Sequence, residues 1–214
     1  MGPYAPLGKG GYRYVNKFTQ DYSRMEEVYR LRNKSETAKS LHQYNMTVTV
    51  PLELRIKIVR CDKSGEYIGK VIKTLCFNAG INVEYTATNT PQQDGVSERD
   101  GQALAQITRC LMKDGNFLPS LWRELFFMAA YMSNRSPLSA LRGATPYLRV
   151  YNKEADLSGP RAIGARAFIH RETYTRTLDD RVFEGKRCGF SQDNRAYRTY
   201  NPAKGKVVES HNVI

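Results

Sequence analysis

Asp62 and Glu98 are the two side chains of this chain whose types and spacing could do chemistry together: 35 residues lie between them. The β-branched segment 55–61 predicts a strand that delivers Asp62 at its end. Apolar positions at Leu104, Ile107 and Leu111 predict a helix over 96–113 that carries Glu98 in its first turn. Two acids held that way can converge on one point. Carboxylate oxygens are hard ligands, the kind Mg²⁺ takes when a few carboxylates and a substrate phosphate share the ion. Taken alone, an acid at a strand end is more often a solvated turn residue.

The elements that must position these acids alternate along the chain. Residues 12–19 and 26–32 read as strands joined through Asp21-Tyr22-Ser23-Arg24, and Ser35 as the cap of a helix that runs to Tyr44. A second helix is predicted from Ile68 to Asn78, stopped by Gly80, and another strand from Val83 to Ala87. Such alternation suits a mixed sheet covered by helices. Residues 121–133 are apolar on most faces, with Trp122, Leu125, Phe126 and Phe127 among them, so they read mainly as core, with an interface role open. Residues 137–160, richer in Pro, Gly and Ser, read as a connection. Beyond it, short apolar runs at 165–169, 182–183, 187–190 and 206–209 are punctuated by turn residues, the pattern of a small β-barrel.

Composition narrows the function classes. A chain of 214 residues with 41% hydrophobic content can bury a real core. Its formal charge of +12 favours a polyanionic partner, because each cation that neutralises a phosphate releases counterions. Cys61, Cys76, Cys110 and Cys188 are scattered, and with only His42, His170 and His211 no stretch has zinc-finger spacing, so buried reduced thiols are expected. No apolar run reaches membrane-spanning length and the N-terminus is not a signal peptide, which points to a nuclear or cytoplasmic protein with no membrane partner. No small-molecule substrate is expected.

The motifs around the two acids add a resemblance. Asp62 lies in Lys57-Ile58-Val59-Arg60-Cys61-Asp62-Lys63-Ser64-Gly65-Glu66-Tyr67, and Glu98 in Thr90-Pro91-Gln92-Gln93-Asp94-Gly95-Val96-Ser97-Glu98-Arg99. Gly10-Gly11-Tyr12-Arg13-Tyr14 and Asp21-Tyr22-Ser23-Arg24 precede them. Asn134-Arg135-Ser136-Pro137, Thr145-Pro146-Tyr147, Gly189-Phe190-Ser191 and Tyr197-Arg198-Thr199-Tyr200-Asn201-Pro202 follow. In this order they resemble the integrase of Copia-type retrotransposon Pol polyproteins. The resemblance implies an α/β fold: an RNase H-like mixed sheet flanked by helices over 1–148 with its first strand truncated, a linker over 149–162 and a small SH3-like β-barrel over 163–214. It implies DNA integration, the joining of element DNA ends to target DNA, with two Mg²⁺ or Mn²⁺ ions in the intact site. It assigns Asp62 and Glu98 as catalytic metal ligands, Gln93 and the Pro91–Gly95 loop to DNA positioning, and Lys63 and Arg99 to phosphate contact. Glu66 fits a structural hydrogen bond as well as a role at the site. DNA and further copies of the chain are the implied partners.

The sequence departs from the family pattern near the site. The family's first Asp would stand shortly before Gly2-Pro3, where this chain has Met1, so weak or single-ion binding and an inactive chain are expected. Asp62-Lys63-Ser64-Gly65-Glu66 stands for the usual Asp-Asn-Gly-Gly-Glu, and Asp100-Gly101-Gln102 for Met-Asn-Arg. Asp94 and Asp100 add like charge near a phosphate, and Gly101 costs a helix interior about 1 kcal/mol relative to Ala. The alternative reading is a catalytically inactive nucleic-acid-binding remnant. Beyond residue 160, Arg161, Arg166, Arg171, Arg176, Arg181, Lys186, Arg187, Arg195, Arg198, Lys204 and Lys206 are candidates for phosphate-backbone contacts, with a solvated surface equally open for each.

Overall fold

The computed structural model describes residues 1–8, 10–61, 69–85, 91–159, 161–170, 181–191, 196–211 and 213, with the backbone alone at Lys70 and 91–100. Two compact units emerge: unit 1 comprises residues 1–20 and 26–103, and unit 2 residues 21–25 and 104–214.

In unit 1, β1 (Tyr14–Thr19) pairs antiparallel with β2 (Glu26–Leu31), Tyr14 opposite Leu31 and Thr19 opposite Glu26. Lys17 and Glu26 form a largely buried ion pair across this hairpin at 2.9 Å. The other edge of β1 is taken at Val15, which exchanges backbone hydrogen bonds with Met1. Helix α1 (Thr37–Tyr44) follows a 3₁₀ turn at Lys34–Glu36. Ser35 sits inside that turn and does not cap the helix. Instead the Glu36 carboxylate accepts the Arg32 N–H at 2.7 Å, and the Thr37 hydroxyl donates to the Lys34 carbonyl. The chain continues past α1 in wider i→i+5 bonding over Asn45–Thr49.

A strand–helix–strand unit completes unit 1. Strand β3 (Ile58–Cys61) runs parallel to β4 (Asn82–Tyr85), with α2 (Lys70–Asn78) between them in sequence. Gly80, at φ +63°, closes α2: its N–H donates to Phe77 and that of Ile81 to Cys76, the pairing of a Schellman cap. Leu41 and Ala38 of α1 meet Ile72 and Cys76 of α2 and Ile81, with Phe18, Val59 and Val83 at the margin. Among the described residues β1–β2 and β3–β4 are separate two-stranded sheets, not one mixed sheet.

Helix α3 (Pro91–Asp114) starts five residues before the predicted 96, and the boundary between the units falls within it. Proline is suited to a first helical position because the N–H it lacks would have no helical partner there.

Unit 2 adds α4 (Trp122–Ser133), entered through a 3₁₀ turn at Pro119–Leu121, and α5 (Pro146–Tyr151), capped by the Thr145 hydroxyl accepting the Leu148 N–H. Strands β5 (Arg166–His170), β6 (Val182–Phe190), β7 (Tyr197–Asn201) and β8 (Lys206–Ser210) form an antiparallel sheet in that order. The apolar runs at 182–183 and 187–190 belong to one strand, with a register shift between Arg187 and Gly189. Helices and sheet share a core of Phe117, Leu121, Leu125, Cys188 and Tyr200. Gly115 and Gly164 let two backbones touch: a Cβ at Gly164 would lie 2.5 Å from the Gly115 Cα. No described helix is long and apolar enough to cross a membrane.

Candidate functional site

Ligands of sheets with parallel strands gather at the carboxyl ends of the strands. In the β3–β4 pair those ends are Cys61 and Tyr85, side by side in the register, and Asp62 is the next residue after Cys61. Asp62 itself, with Lys63 and Glu66, lies outside the described residues. Glu98, Gln93 and Arg99 ride on the backbone of α3. Because the helix opens at Pro91, Glu98 is its eighth residue, about 10 Å along the axis from the start, and not in the first turn. Residues Pro91–Gly95, expected as a loop, are likewise helical. Gly101 has a packing reason, since a Cβ there would meet the Met1 sulfur at 3.1 Å. Beside the strand ends, register partners Arg60 and Glu84 form an exposed ion pair at 3.1 Å. No group of three or more acids, histidines or cysteines able to hold a metal occurs among the described residues.

The C-terminal cations divide by what surrounds them. Arg198 is engaged inside the protein: its Nε and Nη2 reach Glu124 Oε2 at 3.0 and 2.9 Å, and Nη1 reaches Glu209 at 2.7 Å. Glu124 is buried on α4, and its second oxygen takes the Arg123 guanidinium. Beneath this cluster the Cys188 thiol donates to the Arg198 carbonyl at 3.2 Å, and burial, helped by the Glu124 charge, pushes its pKa from 9.0 up to about 12. Arg166 makes a two-pronged contact with Glu184, and Lys186 donates to the Gly115 and Asn116 carbonyls. These contacts occupy four of the expected phosphate-binding candidates with protein partners or, for Arg187, burial against the Tyr197 ring. Lys204 and Lys206 stand exposed, while Arg171, Arg176 and Arg195 lie outside the described residues.

A second cluster links α4, α5 and the sheet. The Arg135 guanidinium lies 3.6 Å from the Tyr131 ring centre and 4.8 Å from that of Tyr147. Tyr147 packs on Tyr151 at 4.6 Å. In the other direction Tyr131 meets Phe190 at 5.5 Å, Phe190 meets Tyr197 at 5.6 Å, and Arg187 covers Tyr197. The result is a continuous ladder of rings and guanidinium groups. Four of its members, Arg135, Tyr147, Phe190 and Tyr197, come from the motifs Asn134–Pro137, Thr145–Tyr147, Gly189–Ser191 and Tyr197–Pro202, which the sequence separates and the fold joins. Backbone contacts support it: the Tyr147 N–H donates to the Asn134 carbonyl at 2.9 Å, and the Tyr197 hydroxyl to that of Gly159 at 2.8 Å.

Sequence reading missed both clusters. Glu124 announced itself only as a lone acid within an apolar helix. The ladder had a local signal in the four-residue spacings Tyr131–Arg135 and Tyr147–Tyr151, which put side chains on one helical face.

Residues 165–214 match the family model described as the retroviral polymerase SH3-like domain. The whole chain is 31% identical to part of the "Retrovirus-related Pol polyprotein from transposon TNT 1-94" of Nicotiana tabacum. It is 23% and 22% identical, over 97% of its length, to those from transposons RE2 and RE1 of Arabidopsis thaliana. The chain spans 16% of the first of these relatives and 14% of the other two. In fold it is similar to a chain in the cryoEM structure of the simian T-cell lymphotropic virus intasome in complex with PP2A regulatory subunit B56 gamma. The TM-score is 0.56 at 14% identity, over 97% of this chain and 73% of that one.

Proposed function

We propose, for a chain related along its whole length to the Copia-type Pol polyproteins of transposons and carrying their SH3-like domain, that it is an integrase segment acting in DNA integration. In this reading unit 1 is an RNase H-like core, and DNA and further copies of the chain are its partners. The observation that supports it most directly is the β3–α2–β4 unit, whose first strand stops at Cys61, one residue before Asp62, and is followed by a helix that bears Glu98. Asp62 and Glu98 have the hard oxygen donors that Mg²⁺ or Mn²⁺ takes. Bound there, the ions would activate the attacking oxygen and stabilise the leaving one. The chain's own contribution is to hold the two acids on a strand end and a helix and to offer Lys63, Gln93 and Arg99 to the DNA.

Calorimetric titration with Mn²⁺, run beside a strand-transfer assay on labelled element-end DNA, tests the assignment. Asp62→Asn and Glu98→Gln should each abolish the Mn²⁺ heat and any joined product. Retention of both signals in either variant overturns it. A second reading, nucleic-acid binding without turnover, draws support from the sequence, where Asp94 and Asp100 stand on either side of Glu98 and add like charge near a phosphate. Salt-sensitive DNA binding with no joined product would favour it.

A further inference from the structure

We propose that the ring-and-guanidinium ladder of unit 2 is a stacking platform for the unpaired bases of a nucleic-acid strand. This rests on the nucleic-acid reading above and names the part of the nucleic acid that meets this surface.

Charge is the first support. Arg198, Arg123 and Arg166 each face a carboxylate of the protein, whereas Arg135 and Arg187, the two cations of the ladder, have no ion pair among the described residues. Their Nε atoms, together with the Tyr131 hydroxyl, are buried without a hydrogen-bond partner. Arg135 spends one donor, Nη1, on the Tyr131 carbonyl at 3.3 Å, but unlike Arg198 it closes on no carboxylate in an ion pair among the described residues. Arg135, half-buried, therefore adds uncompensated positive charge to the ladder, whereas Arg187 is buried against Tyr197.

Access is the second. Tyr151, at the end of α5, is 39% exposed, so the ladder opens to solvent there. Exposed Arg142, Arg149 and Lys153 flank the same helix and can follow a phosphate backbone, while the chain carries a net charge of +12.

Ring chemistry selects the partner. A base offers its π-face to a tyrosine only when it is unpaired or at an end, because within a duplex the faces are covered by neighbouring base pairs. Stacking of that kind combines with arginine contacts in single-strand binding surfaces. A proline-rich peptide would also fit aromatic rings, but it has no use for the charge of Arg135 or of the exposed cations beside α5.

Fluorescence anisotropy of the full chain tests this with two probes, a short labelled oligothymidylate and a duplex of equal length. Tyr151→Ala, at an exposed helix end, should weaken oligothymidylate binding about tenfold, the loss of one stacked base. It should leave duplex binding and the circular dichroism melt unchanged, and Tyr151→Trp should restore the affinity. The proposal is overturned if the alanine variant binds oligothymidylate as well as the wild type, or if both probes weaken together. It is also overturned if the wild type takes up a proline-rich peptide and no oligothymidylate. Duplex binding that persists without oligothymidylate binding would sink the platform alone and leave the integrase reading standing.

Discussion

The buried cluster of unit 1 is made of Ala38, Leu41, Ile72, Cys76 and Ile81, apolar contacts between two helices and short strands. Unit 2 also has an apolar core, around Leu125 and Cys188, but its helix–sheet joint includes a buried carboxylate, Glu124, between Arg123 and Arg198. Apolar contacts are non-directional and tolerate small shifts. Charged hydrogen bonds do not, and a buried one left half-made is costly. The comparison suggests that unit 2 fixes the register of α4 on β7 through geometry as well as through burial.

The largest test is Glu124→Ala, which removes the carboxylate shared by Arg123 and Arg198, leaves Arg198 with Glu209 alone, and should cost unit 2 about 3 kcal/mol. Trp122, the single tryptophan and buried on the same helix, reports the loss in a urea titration followed by fluorescence. Replacing Glu124 and Arg198 together by methionine should recover part of it, since Arg123 still lacks the Glu124 carboxylate. A cost below about 1 kcal/mol for the single change would mean that the buried cluster behaves like a surface pair and would dissolve the contrast.

In unit 1 the corresponding test is apolar. Leu41 is 1% exposed, and Leu41→Ala should cost about 3 kcal/mol, read as faster amide exchange in α1 and β1.

Alkali offers a third test. The Cys188 pKa rises from 9.0 to about 12 on folding, so the folded state keeps a proton that the unfolded chain releases. That stability is fully present below pH 9.0 and is lost as pH rises through about 12. Tyr29 of unit 1, pushed by burial from 10.0 to about 12, behaves in the same sense in its own window. Cys188→Ala should flatten the alkaline fall in the Trp122 signal, and Tyr29→Phe the fall in β2 amide protection.

The smallest effect is expected at Arg60 and Glu84, both well exposed. Arg60→Ala should shift stability by less than about 1 kcal/mol, and high salt should erase the difference.

Much of this architecture was legible in local patterns. The two N-terminal strands, the helix ended by Gly80, the helix of 122–133 and most of the C-terminal strands stand close to where periodicity and turn residues put them. The misses share a cause. Ser35 lost the cap because a 3₁₀ turn placed Glu36 within reach of the Arg32 N–H. β6 runs through 184–186 because β5 pairs with it along that stretch and β7 joins at Lys186, which no apolar count within that segment records. At the acid site the strand end before Asp62 and the helix under Glu98 were readable, but the helix start was not, since proline, glutamine and glycine also suit a loop.

By itself the sequence determined the spacing of Asp62 and Glu98, the order of the motifs and the excess of positive charge, since these are properties of the chain in any conformation. Only the tertiary structure decided which cations are left over. Arg198 and Arg135 are alike in the sequence, each an arginine within a motif. One closes on Glu124, 74 residues away along the chain, and the other lies between two tyrosines with no ion pair among the described residues. Electrostatic partners are chosen by distance in space, which a linear sequence does not carry.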